Sequence, residues 1–211
     1  MHRLAQSTLS PHGNGPRAVR PHSAAIALLA LVVSGCVFSS APTHFYSLAS
    51  VAPTGSTRPS LKAPVQVVVV HIPSFLDRAE IVRTGANMSL ELAGDSRWGA
   101  PFGEMVQRVL TQDLLERLAA GDVVLPEQPA PSSTEALVLT ILEFQSDLAG
   151  NVVFSGSWSL LPPGANHPRS SEYVKLTASA NPSDYGDQAK VMSELLGEVA
   201  DRIVHALPAV Y

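Results

Sequence analysis

Apolar and polar residues alternate along this chain with two periods, and the switches between them outline its elements. Val65 to Ile72 (VQVVVVHI) is a β-branched run bounded by Pro64 and Pro73. Being apolar at both parities, it predicts a strand covered on both faces. Glu80–Thr84 and Met88–Leu92 follow, separated by Gly85-Ala86-Asn87. Met88, Leu90 and Leu92 alternate with Ser89 and Glu91, which predicts a hairpin whose second strand is half buried. From Trp98 to Ala119 the period lengthens. Phe102, Met105, Val106, Val109, Leu110, Leu114 and Leu118 recur at three-and-four spacing, opposite Glu104, Gln107, Arg108, Gln112, Asp113, Glu116 and Arg117. This predicts an amphipathic helix capped by Asp95 or Ser96 and stopped by Gly121. A short strand, Val123-Val124-Leu125, precedes a proline-rich linker from Pro126 to Ser133.

The second half repeats the logic. Ala136–Phe144 predicts a strand and Asp147–Asn151 a turn. Val152–Leu161 then places Val152, Phe154, Trp158 and Leu160 on one face and Ser155, Ser157 and Ser159 on the other, a clean period of two. After Pro-Pro-Gly-Ala-Asn, Tyr173–Ala180 supplies the third strand of a meander. Asp184 or Ser183 then caps a helix to about Ala206 that buries Val191, Leu195, Val199, Ile203 and Leu207. The expected fold class is α+β: a two-layer sandwich, a mostly antiparallel sheet with two main helices packed on it.

The first 63 residues follow neither period. Met1–His22 carries Arg3, Arg17 and Arg20 and no Asp or Glu, and Ala24–Val33 is almost wholly apolar. About ten apolar residues fall far short of the roughly 20 that span a bilayer, so the run predicts the core of an export signal. Val33-Ser34-Gly35-Cys36 closes it, and Cys36 is the sole cysteine of the chain. These four residues resemble a bacterial lipobox, which implies a diacylglycerol thioether on Cys36, cleavage before it and acyl anchoring. Residues 1–35 are thus expected to be a lipoprotein signal peptide. Val37, where an inner-membrane retention signal would place Asp, favours sorting to the outer membrane. Residues 36–63, rich in Ser, Thr, Pro and Gly, are expected to be a lipidated flexible tether. The aromatic island Phe45-Tyr46-Ser47-Leu48 within it is expected to dock, as an edge strand or otherwise, on a single domain over 64–211.

Charge and composition narrow the function. Without its leader the chain has 211 − 35 = 176 residues, enough for one real core, and a formal charge of 11 − 18 = −7. An acidic domain lacks the clustered Lys and Arg that nucleic acid requires. With one cysteine there is no intramolecular disulfide and no Cys-ligated metal site. No phosphate loop, nucleophile elbow, HExxH or calcium loop occurs, and His44, His71, His167 and His205 are dispersed. Neither an enzyme nor a cofactor is expected. One segment stands out, Pro73–Arg83, followed by Arg97-Trp98. Its Leu76, Asp77 and Arg78, with Arg97 and Trp98, are read as a corner, structural or partner-contacting, in which Asp77 pairs with Arg78 or Arg97.

In order along the chain, the lipobox, Phe45-Tyr46-Ser47-Leu48, the strand, Leu76-Asp77-Arg78 with Ile81-Val82, Arg97-Trp98, Phe144 and Trp158 resemble the landmarks of the PqiC/YmbA-like auxiliary lipoproteins. The resemblance runs from Cys36 to about Leu207. Ala79, where that family usually has proline, and Gly99-Ala100-Pro101 depart from it. The resemblance implies a non-enzymatic auxiliary subunit of an MCE-type, ABC-associated system that moves phospholipid between membranes and supports envelope integrity. It implies a lipoprotein on the periplasmic face of the outer membrane, with an MCE-domain periplasmic protein and its inner-membrane component as partners, and it leaves a homo-oligomer open. Two rival readings stand beside it: an assembly or chaperone lipoprotein, such as a lipopolysaccharide-transport or Tol-type helper, and a stand-alone lipid-binding module.

Overall fold

A computed structural model describes residues 42–53, 55 and 58–210. In chain order the elements are β1 (His44–Tyr46), β2 (Ser60–Leu61), β3 (Val65–His71), β4 (Glu80–Thr84), β5 (Leu90–Trp98), α1 (Phe102–Arg117), β6 (Val123–Val124), β7 (Glu135–Asp147), β8 (Asn151–Leu161), β9 (Ser170–Ser179), α2 (Tyr185–Ala206) and β10 (Ala209–Val210). This is an α+β sandwich: two helices on a mixed eight-stranded sheet. The meander β7–β8–β9 and the hairpin β4–β5 are antiparallel, whereas β1/β5, β3/β6, β3/β7 and β4/β7 pair in parallel. One edge of β7 is shared, by β3 along Glu135–Thr140 and by β4 at Ser146–Asp147. Its other edge carries β8. A separate two-stranded ladder joins β10 to β2.

The core lies between the meander and the helices. Leu137, Leu139 and Phe144 of β7 face Leu160, Trp158 and Phe154 of β8 in register, and all six are buried. Val174 and Leu176 extend this face onto β9. Over it α2 lays Leu195, Leu196, Val199, Ala200 and Ile203. Asp184 caps that helix, its Oδ1 accepting from the amides of Gly186 (2.8 Å) and Asp187 (3.1 Å). Side-chain caps of this kind stabilise by about 1 kcal/mol. At Gly156 a Cβ would collide with the carbonyl oxygen of Thr140, so glycine is what lets β8 lie flush on β7 here.

Four expectations need correction. First, β3 is covered on one face only. Its register against β7 shifts between Val67 and Val69, leaving Val68 exposed while Val65 and Val67 are buried under α1. Second, β5 starts exposed rather than half buried: Leu90 and Leu92 face solvent, and Met88, which the alternation assigns to this strand, lies in the turn before it and is exposed as well. Third, the helix begins at Phe102, not Trp98. Residues 96–98 are held as strand from both sides, by β1 through His44–Tyr46 and by β4 through Glu80, so Asp95 and Ser96 cap nothing. Pro101, which has no side-chain acceptor, stands at the helix entrance. Fourth, the stretch expected to be tether belongs from Pro42 onward to the compact unit. The aromatic island within it does dock as an edge strand, Phe45-Tyr46 lying in β1, and Leu48 and Leu61 are core residues. Apolar side chains in a spacer find more favourable burial than solvent.

Candidate docking corner and N-terminal strap

The corner between β3 and β4 is built around the entrance of α1. Leu76 and Trp98 are buried, and the Trp98 ring stacks on Phe102 at 4.9 Å. Phe102 then tilts against Phe144 at 5.7 Å, and Phe144 meets Phe154 edge-on at 5.2 Å, which ties the corner to the main core. Asp77 does not pair with either arginine. Its Oδ1 accepts from the amide of Gly103 at 3.2 Å and supplies the helix cap that Pro101 cannot. Arg78 instead donates through Nε to Glu80 at 3.0 Å, an exposed pair that holds the Glu80 carboxyl below its usual range. Arg97 sits opposite Glu80 in the ladder and adds to that effect, while its own Nε has no hydrogen-bond partner among the described residues. Leu76, Asp77, Trp98 and Phe102 therefore converge, and Arg78 and Arg97 gather around Glu80. A shallow groove of about 390 Å³ runs between Asp77–Ala79 and Trp98–Pro101.

A second site was not foreseen. After β1 the chain lies as a strap between α1 and α2, gripped through its backbone by side chains of both. The amides of Leu48, Ala49 and Val51 donate to Met105 Sδ (3.4 Å), Ser193 Oγ (3.2 Å) and Asp113 Oδ1 (2.8 Å). The Val51 carbonyl accepts from Arg117 Nη1 at 2.9 Å, and Ser50 Oγ donates to Glu116 at 3.1 Å. Gly197 of α2 makes room, since a Cβ there would come within 3.2 Å of Val51 Cβ.

Asp113 and Arg117 hold both polar ends of the Val51 residue. Both belong to the polar side of the α1 pattern, yet Asp113 is 0% and Arg117 4% exposed. Arg117 also meets Asp201 of α2 at 2.6 Å through Nε. Burial pushes the Asp113 carboxyl up from 3.8 to about 6, opposed by the Val51 amide and the Arg117 charge. The sequence carried one signal of this arrangement: an acid and a base four apart, wedged between Leu110, Leu114 and Leu118. This geometry grips a peptide through its backbone.

A family model for ABC-type transport auxiliary lipoprotein components matches residues 46–204, from the end of β1 through the strap and the corner to the last turn of α2. The chain belongs to this family. The intermembrane transport lipoprotein PqiC of Escherichia coli (strain K12) is 24% identical over 183 residues, 86% of this chain and 95% of that protein. PqiC of Shigella flexneri matches to the same extent. The fold recurs in the crystal structure of protein XCC0632 from Xanthomonas campestris, with a TM-score of 0.64, 16% identity and coverage of 77% of this chain and 93% of that one. A crystal structure of an uncharacterized protein aligns with a TM-score of 0.60 and 20% identity over 77% and 97% of the two chains. This PqiC-like auxiliary lipoprotein has, among its described residues, no helix long and apolar enough to cross a membrane. Cys36 lies outside the described residues, eight positions before His44 (44 − 36 = 8).

Proposed function

We propose that this auxiliary lipoprotein is a non-enzymatic subunit of an MCE-type phospholipid transport system. After removal of residues 1–35 it is held by acyl chains on Cys36 at the periplasmic face of the outer membrane. There it receives an MCE-domain periplasmic protein whose other end meets an inner-membrane component. The observation that carries this reading is the match through 95% of a protein named for intermembrane transport. Two features support it: the lipobox that ends at the sole cysteine, and a strap that fixes the chain arriving from that cysteine between both helices. The corner around Asp77, Arg78 and Arg97, with its open groove, is the surface proposed to meet the partner.

Affinity purification from detergent-solubilised membranes tests the reading. An MCE-domain protein should co-purify with the wild type, and Cys36→Ala should abolish activity in the envelope while leaving a folded domain. Recovery of no MCE protein would falsify the docking claim. Recovery of a lipopolysaccharide-transport or Tol-type machine instead would establish the assembly-helper role.

A further inference from the structure

Four exposed aliphatic side chains gather at one end of the sheet. Met88 is 85% exposed, Leu90 49%, Leu92 46% and Leu148 41%. The ladder places them together. Thr84 of β4 stands beside Asp147 of β7, so the turn that leads from β4 into β5 lies next to the turn that leads from β7 into β8. Leu90 is opposite Thr84, and Leu92 opposite Val82, on one face of the hairpin. At the tip, Asn87 and Met88 both have positive φ, 55° and 62°. That conformation is unfavourable by roughly 1–2 kcal/mol for an L-residue with a long side chain, so the turn holds an apolar group outward at a cost. Single exposed aliphatics need no explanation, but a cluster at one end does.

The path of the chain says what this end faces. β1 runs parallel to β5, with His44 at Ser96, so the chain that precedes His44 comes from the Leu90 end of β5. The β4–β5 ladder slips by three residues between Glu80/Arg97 and Val82/Leu92, so only four β4 residues at about 3.3 Å separate the level of Arg97 from that of Leu90, roughly 13 Å. Eight residues separate Cys36 from His44, and an extended chain reaches at most about 3.3–3.6 Å per residue, some 26–29 Å. An acyl anchor on Cys36 thus holds the bilayer within reach of Met88.

We propose that the β4–β5 tip, with Met88, Leu90, Leu92 and Leu148, is a second membrane contact that seats in the interfacial layer of the bilayer carrying the anchor. The proposal rests on acylation of Cys36. Contact at two points fixes the orientation of the domain, directing the entrance of α1, at the far end of β5, away from the lipid. Arg83 stands opposite Glu91 at this end of the sheet, but Glu91, Asp147, Asp184 and Asp187 outnumber it, so the contact favours zwitterionic over anionic headgroups.

The thiol of Cys36, unique in the chain, gives the test. The mature chain, residues 36–211, is coupled through it to a maleimide phospholipid in phosphatidylcholine vesicles. Met88→Trp or Leu90→Trp then reports contact through quenching by bromine-labelled acyl chains. Trp98 and Trp158 are buried and give a constant background. Tyr173→Trp, on β9 away from the tip and 59% exposed in the present chain, is the control. The emission added at 88 and at 90 should fall about twofold with brominated lipid, that at 173 should hold, and replacing part of the lipid with phosphatidylglycerol should weaken the effect. Equal quenching at all three positions, or none at 88 and 90, overturns the proposal. Protection of residue 88 only when the co-purified MCE protein is added would likewise overturn it and assign the tip to a protein partner. Because coupling is chemical, failure here leaves the anchor untouched, and acylation is read separately from the mass of protein extracted from cells.

Discussion

The strands β5 and β8 carry the same kind of signal and have opposite fates. In β8, Val152, Phe154, Trp158 and Leu160 alternate with small polar residues and none is more than 1% exposed. Leading into and through the start of β5, Met88, Leu90 and Leu92 alternate just as regularly and are 85%, 49% and 46% exposed. Period two specifies an extended backbone with one apolar face, and the coverage of that face is decided elsewhere in the chain. For β8 the cover is α2, whose own periodicity matches it. For the first half of β5 the described residues supply none. The face read as polar on α1 makes the converse point: the strap covers Asp113 and Arg117, and they are buried despite their charge.

The strongest way to break this contrast is to delete one large side chain from the covered strand. Trp158→Ala should cost about 3–5 kcal/mol, read as a fall in the urea midpoint with the slope unchanged. A loss below about 1 kcal/mol would mean that α2 does not clamp β8 as described.

What was legible in the chain follows the same division. The meander and α2 could be read to within about three residues at their ends, with Asp184 the cap of the two residues offered, because their partners are neighbours in sequence and each element's period agrees with its cover. The start of α1 could not, because Trp98 is held as strand by β1, more than 50 residues earlier, and by Ala79, whose carbonyl accepts its amide at 2.8 Å. Asp77 carries the sequence pattern of an ion pair with Arg78 or Arg97, and the structure gives it another partner. The amide it caps belongs to Gly103, 26 residues on, across a proline that hides the helix start. The strap was least legible of all. Its hold is backbone to side chain over separations of 57 to 144 residues, and Leu48-Ala49-Ser50-Val51-Ala52-Pro53 has neither period nor charge to announce it.

The cover over α1 makes its own prediction. Asp113 has a folded value of about 6 against an ordinary 3.8, so between those pH values the folded chain holds a proton that the unfolded chain has released. Stability therefore falls as pH rises from about 4 to about 6 and is flat in this group outside that window. At about 1.4 kcal/mol per unit the span amounts to at most ~3 kcal/mol. Asp113→Asn keeps an oxygen for the Val51 amide and removes the titration. The stability difference between variant and wild type should thus shift toward the variant across that window, measured by urea unfolding at pH 4, 5, 6 and 7. A difference that does not change with pH would mean that the strap does not seal this carboxyl from water.

The smallest effect sharpens the other side of the contrast. Leu92 lies opposite Val82 but is itself 46% exposed, so replacing it should remove little buried area. Leu92→Thr keeps a residue that favours strands, and its effect on the urea midpoint should lie within about 0.5 kcal/mol of zero. The same substitution should weaken the association of the lipid-coupled domain's tip with vesicles, because an aliphatic side chain partitions into the interface and a hydroxyl does not. A stability loss above about 1 kcal/mol would show that Leu92 is covered by this chain after all, and the difference between β5 and β8 would be one of degree. Near-neutral stability with weakened membrane contact would show that the apolar face of β5 finds its cover outside the chain.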